Sequence, residues 1–138
     1  MTGIDNRLEQ KIGFDRIRRI ISGKCSTTYA AGRTATETFS AKPSQIRKRL
    51  LLTDEMRLIM MFEDGFPSSG FIDCIDFLKP LENSSSAIDI ISLRKLKTML
   101  DTLRRVTAFF EDVKDGVYPN LKRMSASILG FPAIQHKI

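Results

Sequence analysis

The segment between Asp89 and Gly116 constrains the fold of this chain more than any other. Apolar side chains recur in it at steps of three and four residues, which is the spacing of one helix face and not of a strand. They are Leu93, Leu96, Leu100, Leu103, Val106, Phe110 and Val113. The pattern covers about six turns, so it predicts one of the longest helices of the chain. Asp89 suits its N-cap, and Ile88 is placed to staple onto Leu93. Gly116 and Pro119 break the helix.

The helical period recurs along nearly the whole chain, and no strand-like alternation of useful length interrupts it. The sequence therefore predicts an all-α fold, a bundle of about six helices with one or two long lever-type helices. The other predicted helices cover about 14–22, 26–39, 43–63, 72–80 and 121–129, with a further start after 130.

Local signals bound these helices. Gly23 is predicted to end the first helix as a left-handed cap, and Ser26 is predicted to open the second as its N-cap. Pro43 suits the first position of the third helix, because its missing N–H is not needed there. A turn is predicted from Gly65 to Gly70, and a flexible polar loop over 83–86.

Length and composition predict a single folded domain over 1–138. Of the 138 residues, 42% are hydrophobic, which is enough for a core without disulfides or metal and too many for disorder. Cys25 and Cys74 have no CxxC partner, so we expect two small buried apolar residues in a reducing cytoplasm. The N-terminus lacks a signal-peptide pattern, and an apolar run such as 58–62 is too short to span a membrane.

Three motifs that suggest chemistry fail on their details. Gly65 to Gly70 has the outer spacing of a phosphate loop, but Phe71 and Ile72 stand where Lys and Ser or Thr bind phosphate and magnesium. His136 is the only histidine, and no nucleophile or second ligand stands beside it. The paired carboxylates are typical of solvated charge; they are Glu63 with Asp64 and Glu111 with Asp112. The sequence therefore predicts no catalytic, cofactor-binding or metal-binding residue here.

The formal net charge of +6 fits a polyanionic partner, either nucleic acid or anionic lipid, about as well as it fits a merely soluble protein with a lysine-rich exterior. Basic residues cluster in the predicted helices, and the clusters give candidate phosphate contacts at Arg47, Lys48, Arg49, Arg94, Lys97, Arg104 and Arg105. A further cluster in the first predicted helix consists of Arg16, Arg18 and Arg19. No aromatic side chains are interleaved with these clusters as stacking platforms. The alternative for each cluster is a solvated helix exterior.

The order of several segments resembles that in the MutS-two proteins, the MutS paralogues that lack the mismatch-reading domain. The resemblance covers about residues 8–134, and its specificity lies in the order and spacing of four segments. These are the opening Leu8-Glu9-Gln10-Lys11-Ile12-Gly13-Phe14-Asp15-Arg16-Ile17, then Cys25-Ser26 with Gly32, then Ile46, Leu50, Thr53-Asp54-Glu55 in a Leu-x-x-Thr-x-Glu pattern, and then Asp73 followed by Asp89 and a helix that closes on Phe109-Phe110.

The resemblance implies a larger machine. Full-length proteins of this family are homodimeric ATPases of the ABC type that use ATP and magnesium, and many carry a C-terminal Smr nuclease domain. They bind branched DNA, restrain recombination, and in some lineages act on stalled ribosomes. This chain would be the first half of the helical core, whose lever helices couple the ATPase to the nucleic-acid clamp. It would itself be non-catalytic and would end where the clamp helix begins, as a segment of a longer protein.

Two positions depart from the family pattern, and a second function class stays open. Lys42 stands where these proteins often have an acidic or small cap, and Ser92 replaces the acidic residue that would complete a capping box after Asp89. A more divergent MutS-like branch without the nuclease domain fits as well.

The alternative function is a helical protein–protein adaptor, with an apolar groove lined by Met56, Met60 and Met61.

Overall fold

The computed structural model describes residues 2–38, 40–83 and 86–138. Over these residues the protein is all-α and contains no strand, so the predicted fold class is confirmed. The described residues form eight α-helices and one short 3-10 helix. These are α1 (Thr2–Lys11), α2 (Phe14–Ser22), α3 (Thr28–Thr36), α4 (Pro43–Phe62), α5 (Ile75–Leu78), the 3-10 helix (Lys79–Glu82), α6 (Ile90–Asp112), α7 (Pro119–Ser125) and α8 (Pro132–Gln135).

The chain divides into two compact units, Met1–Ala41 and Lys42–Ile138. The first unit contains α1 to α3, and the second contains α4 to α8. Each unit has its own set of internal contacts. The assignment of the whole chain to one domain stays a prediction.

Gly13 separates α1 from α2 in the first unit. Its φ of 74° lies in the left-handed region, which glycine adopts at little cost. Its N–H donates to the carbonyl oxygen of Gln10, and its own carbonyl oxygen accepts from the N–H of Arg16. The first predicted helix begins near Phe14, so α1 was not predicted, because the mostly polar sequence of α1 gives only a weak apolar stripe.

Two predicted caps in the first unit are wrong. Thr27 and not Ser26 is the N-cap of α3, and its hydroxyl accepts from the N–H of Ala30 at 3.1 Å. The two neighbouring hydroxyl residues suit an N-cap about equally, so the sequence does not separate them. Gly23 has a φ of −68°, so α2 ends in right-handed backbone instead of a left-handed glycine cap.

Three predicted helix ends also shift. The helix α3 ends at Thr36 instead of near 39, a position outside the described residues. The short helix continues past Pro80 as a 3-10 helix to Glu82, because proline fits the first turn of a new helical segment. The helix α7 covers only Pro119–Ser125 instead of reaching 129. Of the predicted loop over 83–86, residues 84 and 85 lie outside the described residues.

A partly buried ion pair joins the three helices of the first unit. Arg18 Nη2 donates to Glu9 Oε1 at 2.7 Å, and Glu9 is only 4% exposed. The guanidinium also donates to the carbonyl oxygens of Ala35 and Glu37 at the end of α3. It lies over the ring of Phe14, 5.4 Å from the centroid. Arg18 is therefore committed to contacts inside this unit.

The apolar stripe of α2 is not buried. Ile17, Ile20 and Ile21 are each about half exposed, although the helix is strongly amphipathic. The side of α2 that carries Arg18 packs toward α1 and α3 instead.

The core of the second unit lies where α4, α6 and α7 meet. Ile59 of α4 is fully buried, and Val106, Phe110 and Leu121 surround it. Burying a side chain of this size contributes roughly 1.5–3 kcal/mol. Phe66, from the loop after α4, packs edge-on against both Phe109 and Phe110 of α6.

Glu55 of α4 caps the start of α7 from inside this core. Its Oε1 accepts from the backbone N–H of Asn120 at 3.1 Å and from Asn120 Nδ2 at 2.6 Å, and its Oε2 accepts from the N–H of Leu121 at 2.8 Å. Glu55 is 8% exposed. A carboxylate at a helix start satisfies N–H groups that have no partner within the helix. This contact fixes α7 against α4.

The predicted turn from Gly65 to Gly70 is confirmed, and it packs against α6. Pro67 is fully buried. Gly70 has a φ of 90°, and its carbonyl oxygen accepts from the hydroxyl of Thr102 on α6 at 3.1 Å. A Cβ on Gly70 would lie 2.3 Å from that hydroxyl oxygen, so only glycine fits this close approach.

The long helix α6 has 23 residues and is about 35 Å long. Asp89 is its N-cap as predicted, and one carboxylate oxygen accepts from the N–H groups of Ile91 and Ser92. Hydrogen bonds from the Ser92 side chain and backbone, and from the Ile91 N–H, lower the pKa of Asp89. Ser92 therefore contributes to the cap although it is not the acidic residue of a capping box. Within the predicted stripe Leu100 and Val106 are buried along with Phe110, and the other members are half-buried.

Candidate nucleic-acid interface

The outward side of α6 carries four of the candidate phosphate contacts. They are exposed and are Arg94, Lys97, Arg104 and Arg105. Steps of three, seven and one residues keep them within about a third of the helix circumference. Because Val106 and Phe110 direct the opposite side of α6 into the core, these four side chains face solvent.

Asp101 divides this basic side of α6 into two pairs. Arg94 and Lys97 lie within one turn, and Arg104 begins about 10 Å further along the axis. Asp101 lies between the pairs, is half-buried, and accepts from Gln135 Nε2 of α8 at 3.4 Å. Its negative charge lowers the positive potential at the middle of the helix.

The second pair, Arg104 and Arg105, has acidic neighbours that were not predicted from the sequence. Arg105 lines a shallow groove of about 580 Å³ together with Glu63 and Asp112. Arg104 lines a smaller groove of about 220 Å³ together with Glu111. The spacing in the sequence could have shown two of these neighbours, because residues seven apart on a helix share a face. Arg104 and Glu111 have this spacing, and so do Arg105 and Asp112. Arg94 and Lys97 are therefore the stronger cationic pair.

The remaining candidates, Arg47, Lys48 and Arg49, lie in the first half of α4. Every residue from 41 to 51 is exposed, so all three side chains reach solvent. Consecutive helical positions project about 100° apart, so these three cannot share one face. The structure therefore groups the α6 candidates and separates those of α4 from one another.

Within the basic cluster of α2, Arg18 is not available for a phosphate contact. It is engaged with Glu9 and with backbone carbonyls, while Arg16 and Arg19 are exposed. Arg19 also pairs with Asp15 at 3.1 Å. The sequence does not predict α1, which carries Glu9. It therefore does not predict the ion pair between Arg18 and Glu9.

The rejected catalytic motifs lie at the surface. Glu63, Asp64, Glu111, Asp112 and His136 are all exposed. Glu63 accepts from the hydroxyl of Tyr118 at 3.0 Å. Partial burial of Tyr118, and this hydrogen bond, raise the pKa of its hydroxyl.

Within the part of the chain that the structure describes, no group of three or more His, Cys, Asp or Glu side chains is placed to hold a metal ion. None of the described helices is both long enough and apolar enough to cross a membrane.

Both cysteines are free thiols, and both are only half-buried, whereas the sequence predicted buried positions. Burial raises the pKa of the Cys74 thiol, the neighbouring Asp73 raises it further, and Lys95 lowers it. A raised pKa keeps Cys74 in the thiol form, which is the less nucleophilic one.

The apolar groove expected for a protein–protein adaptor is present in part. Met56 and Met60 line an open depression of about 480 Å³ together with Leu52 and Leu121. Met61 does not line it, and its sulfur instead lies 3.3 Å from Nη1 of Arg57. The third methionine follows Met60 directly and so projects from a different side of α4.

Comparison with known proteins adds no relative: no protein-family model matches the chain, and neither a curated protein nor a solved structure is significantly similar to it.

Proposed function

We propose that this chain is a non-catalytic helical part of a MutS-like protein, one that couples an ATPase elsewhere to a clamp on nucleic acid. The proposal rests on the resemblance in segment order to the MutS-two proteins. Two features support it: α4 and α6 are about 30 Å and 35 Å long, and α6 carries cations on the side opposite its core stripe.

The single observation that carries nucleic-acid binding is the position of Arg94, Lys97, Arg104 and Arg105 on one exposed side of α6. Two pairs of cations about 10 Å apart on one side of a stiff helix fit the regularly spaced charges of a nucleic-acid backbone. We expect these contacts to be independent of base sequence, because phosphate groups carry no sequence information. Branched DNA or ribosomal RNA is the proposed ligand, in the cytoplasm.

The other activities that the resemblance implies would belong to the full-length protein. ATP and magnesium would bind a phosphate loop downstream, homodimerisation would rest on other domains, and any Smr nuclease would follow at the C-terminus. Reading the gene beyond Ile138 tests this directly. A phosphate loop with Lys and Ser or Thr a few hundred residues on supports the family, and a stop codon directly after Ile138 contradicts it.

Fluorescence anisotropy with a labelled four-way DNA junction and a labelled RNA duplex tests the α6 surface. We expect binding at roughly 50 mM salt that weakens as salt rises, because counterions are released on binding. Changing the four α6 cations to Ala lowers the slope of log affinity against log salt by about 0.9 for each phosphate that is no longer neutralised.

A single-charge control for that experiment is Arg57→Ala, and its effect is compared with one quarter of the effect of the fourfold variant. Arg57 is exposed on α4 and pairs with Asp54 at 2.8 Å, so its replacement removes one positive charge away from α6. The control leaves the slope nearly unchanged. An unchanged slope in the fourfold α6 variant rejects this surface as the binding site.

The second candidate function is a helical adaptor for another protein, favoured by the open depression around Met56 and Met60. Methionine adapts its shape to different apolar partners. This function gains if the chain ignores branched DNA and RNA at low salt, yet captures a protein whose binding is abolished in Met60→Glu.

A further inference from the structure

The first half of α4 presents an apolar seam that is exposed to solvent in the part of the chain that the structure describes. Ile46 is 40% exposed and Leu50 is 64% exposed. Together with Pro43 and Thr53 they follow steps of three and four residues, so they lie along one side of the helix. Four positions in this spacing make the a and d pattern by which one helix packs against another.

Cations flank this seam on both sides. Arg47 directly follows Ile46, and Arg49 directly precedes Leu50, so they occupy the positions called e and g in a heptad. No Asp or Glu occurs between Glu37 and Asp54, while four Lys or Arg residues do. The first turn of α4 also lacks an acidic residue, although the positive end of the helix dipole favours one.

We infer that this surface docks an amphipathic helix of a partner protein, one with an apolar seam and acidic residues beside it. The apolar seam distinguishes this occupant from a phosphate backbone. A phosphate backbone pairs with the arginines but leaves Ile46 and Leu50 in water, whereas a helix removes both aliphatic side chains from water. A glutamate at the partner's flanking position pairs with Arg47 and sets the choice of partner. The inference stands independently of the proposed function.

The probe is a fluorescein-labelled peptide of about three heptads, with Leu at a and d and Glu at e and g. The comparison peptide has Lys at e and g. We expect the chain to bind the Glu peptide at least about tenfold more tightly than the Lys peptide, because like charges beside the seam repel.

Substitutions then separate the seam from general charge. Leu50→Gln weakens binding of the Glu peptide by about tenfold. Arg47→Glu weakens the Glu peptide and strengthens the Lys peptide. Lys48→Glu makes the same change in charge, but Lys48 lies roughly 200° around the axis from both Ile46 and Leu50, so the preference between peptides stays. Because Leu50 and Arg47 are exposed, both variants keep the helical content and melting temperature of the parent chain.

Four outcomes overturn the inference. The two peptides bind alike, or Leu50→Gln binds the Glu peptide as the parent does. Alternatively, sedimentation shows self-association that Leu50→Gln abolishes, so that a second copy is the occupant. Last, Leu50→Gln weakens binding to the DNA junction or to anionic vesicles as much as it weakens peptide binding. Retained junction binding in Leu50→Gln leaves the α6 proposal standing, so the two proposals fail separately.

Discussion

At the scale of single residues, the second unit depends on a few polar contacts that join distant parts of the sequence. Glu55 reaches three donors on Asn120 and Leu121, and Thr102 reaches Gly70. Each contact connects a long helix to a shorter element, α4 to α7 in one case and α6 to the turn before it in the other. Removing the Glu55 carboxylate leaves the buried N–H of Leu121 without a partner, which costs more than the hydrogen bond itself contributes.

Glu55→Ala is expected to lower the free energy of unfolding by about 3 kcal/mol, since it removes hydrogen bonds to a charged acceptor and leaves a buried N–H unsatisfied. Urea denaturation followed by circular dichroism measures the change. Asp54→Ala on the exposed side of the same helix is the control, with an expected decrease within about 0.5 kcal/mol. A decrease for Glu55→Ala no greater than the control's shows that the carboxylate does not hold α7.

Gly70→Ala is expected to cost about 2 kcal/mol or more, through both positive φ and the approach of Thr102. Gly116 is a matched control, because its φ of 85° is similar and no atom lies within 4 Å of an added Cβ. Gly116→Ala then costs only the backbone strain, about 1–2 kcal/mol. Equal destabilisation in the two variants, compared by chemical denaturation, contradicts the close approach between the turn and α6.

At the scale of helices, we expect the stability of the end of α6 that carries Asp89 to depend on pH. The folded pKa of Asp89 is lowered from 3.8 by its hydrogen bonds with Ser92 and Ile91. A lowered folded pKa means that the stabilisation is present above about pH 4 and is lost as pH falls through the folded value. Asp89→Asn keeps a neutral cap and does not titrate.

The parent chain is therefore expected to be more stable than Asp89→Asn at neutral pH, and the difference shrinks as pH falls below 4. Melting temperatures of both proteins between pH 2.5 and pH 7, at roughly constant ionic strength, give the comparison. A difference that stays constant over this range shows that the charge of Asp89 does not stabilise α6.

Helices with a long apolar stripe are the ones that the sequence predicts well. The cap, stripe and length of α6 all follow from residues 89–113, and Pro43 gives the start of α4, because these signals are local. Contacts between residues that are distant in the sequence are missed. The position of α7 depends on Glu55, and the role of Arg18 depends on Glu9, and no spacing in the sequence connects either pair. The outward direction of Arg94 and Lys97 follows from the stripe, but the acids beside Arg105 come partly from another element.

At the scale of the whole molecule, charge is spread over both units. The first contains seven basic and four acidic residues, and the second contains fifteen and twelve, so each carries a net charge of +3. Net charge therefore does not single out either unit for a polyanion. The placement of cations on α6 is what favours the second unit.

The hydrogen bonds of the ion pair between Glu9 and Arg18 all lie inside the first unit. Glu9→Ala leaves a partly buried guanidinium without its carboxylate and is expected to destabilise this unit by about 2–3 kcal/mol. Hydrogen exchange is expected to rise in α1 to α3 and to stay unchanged in α4 to α8.

Asp15→Ala is the control for Glu9→Ala. It removes an exposed pair with Arg19 and costs about 0.5 kcal/mol or less. Faster exchange throughout both units in Glu9→Ala shows that the chain unfolds as a single cooperative body.

The contact from Glu55 to α7 has a mechanical consequence. Three donors at one end of a seven-residue helix point at a single carboxylate on a rod about 30 Å long. If the rod tilts while α7 stays behind, those donors are separated from their acceptor in a place that water barely reaches. Moving α7 together with α4 keeps these hydrogen bonds and therefore costs less free energy. A displacement of the exposed half of α4 is thus expected to move Asn120 and the residues after it.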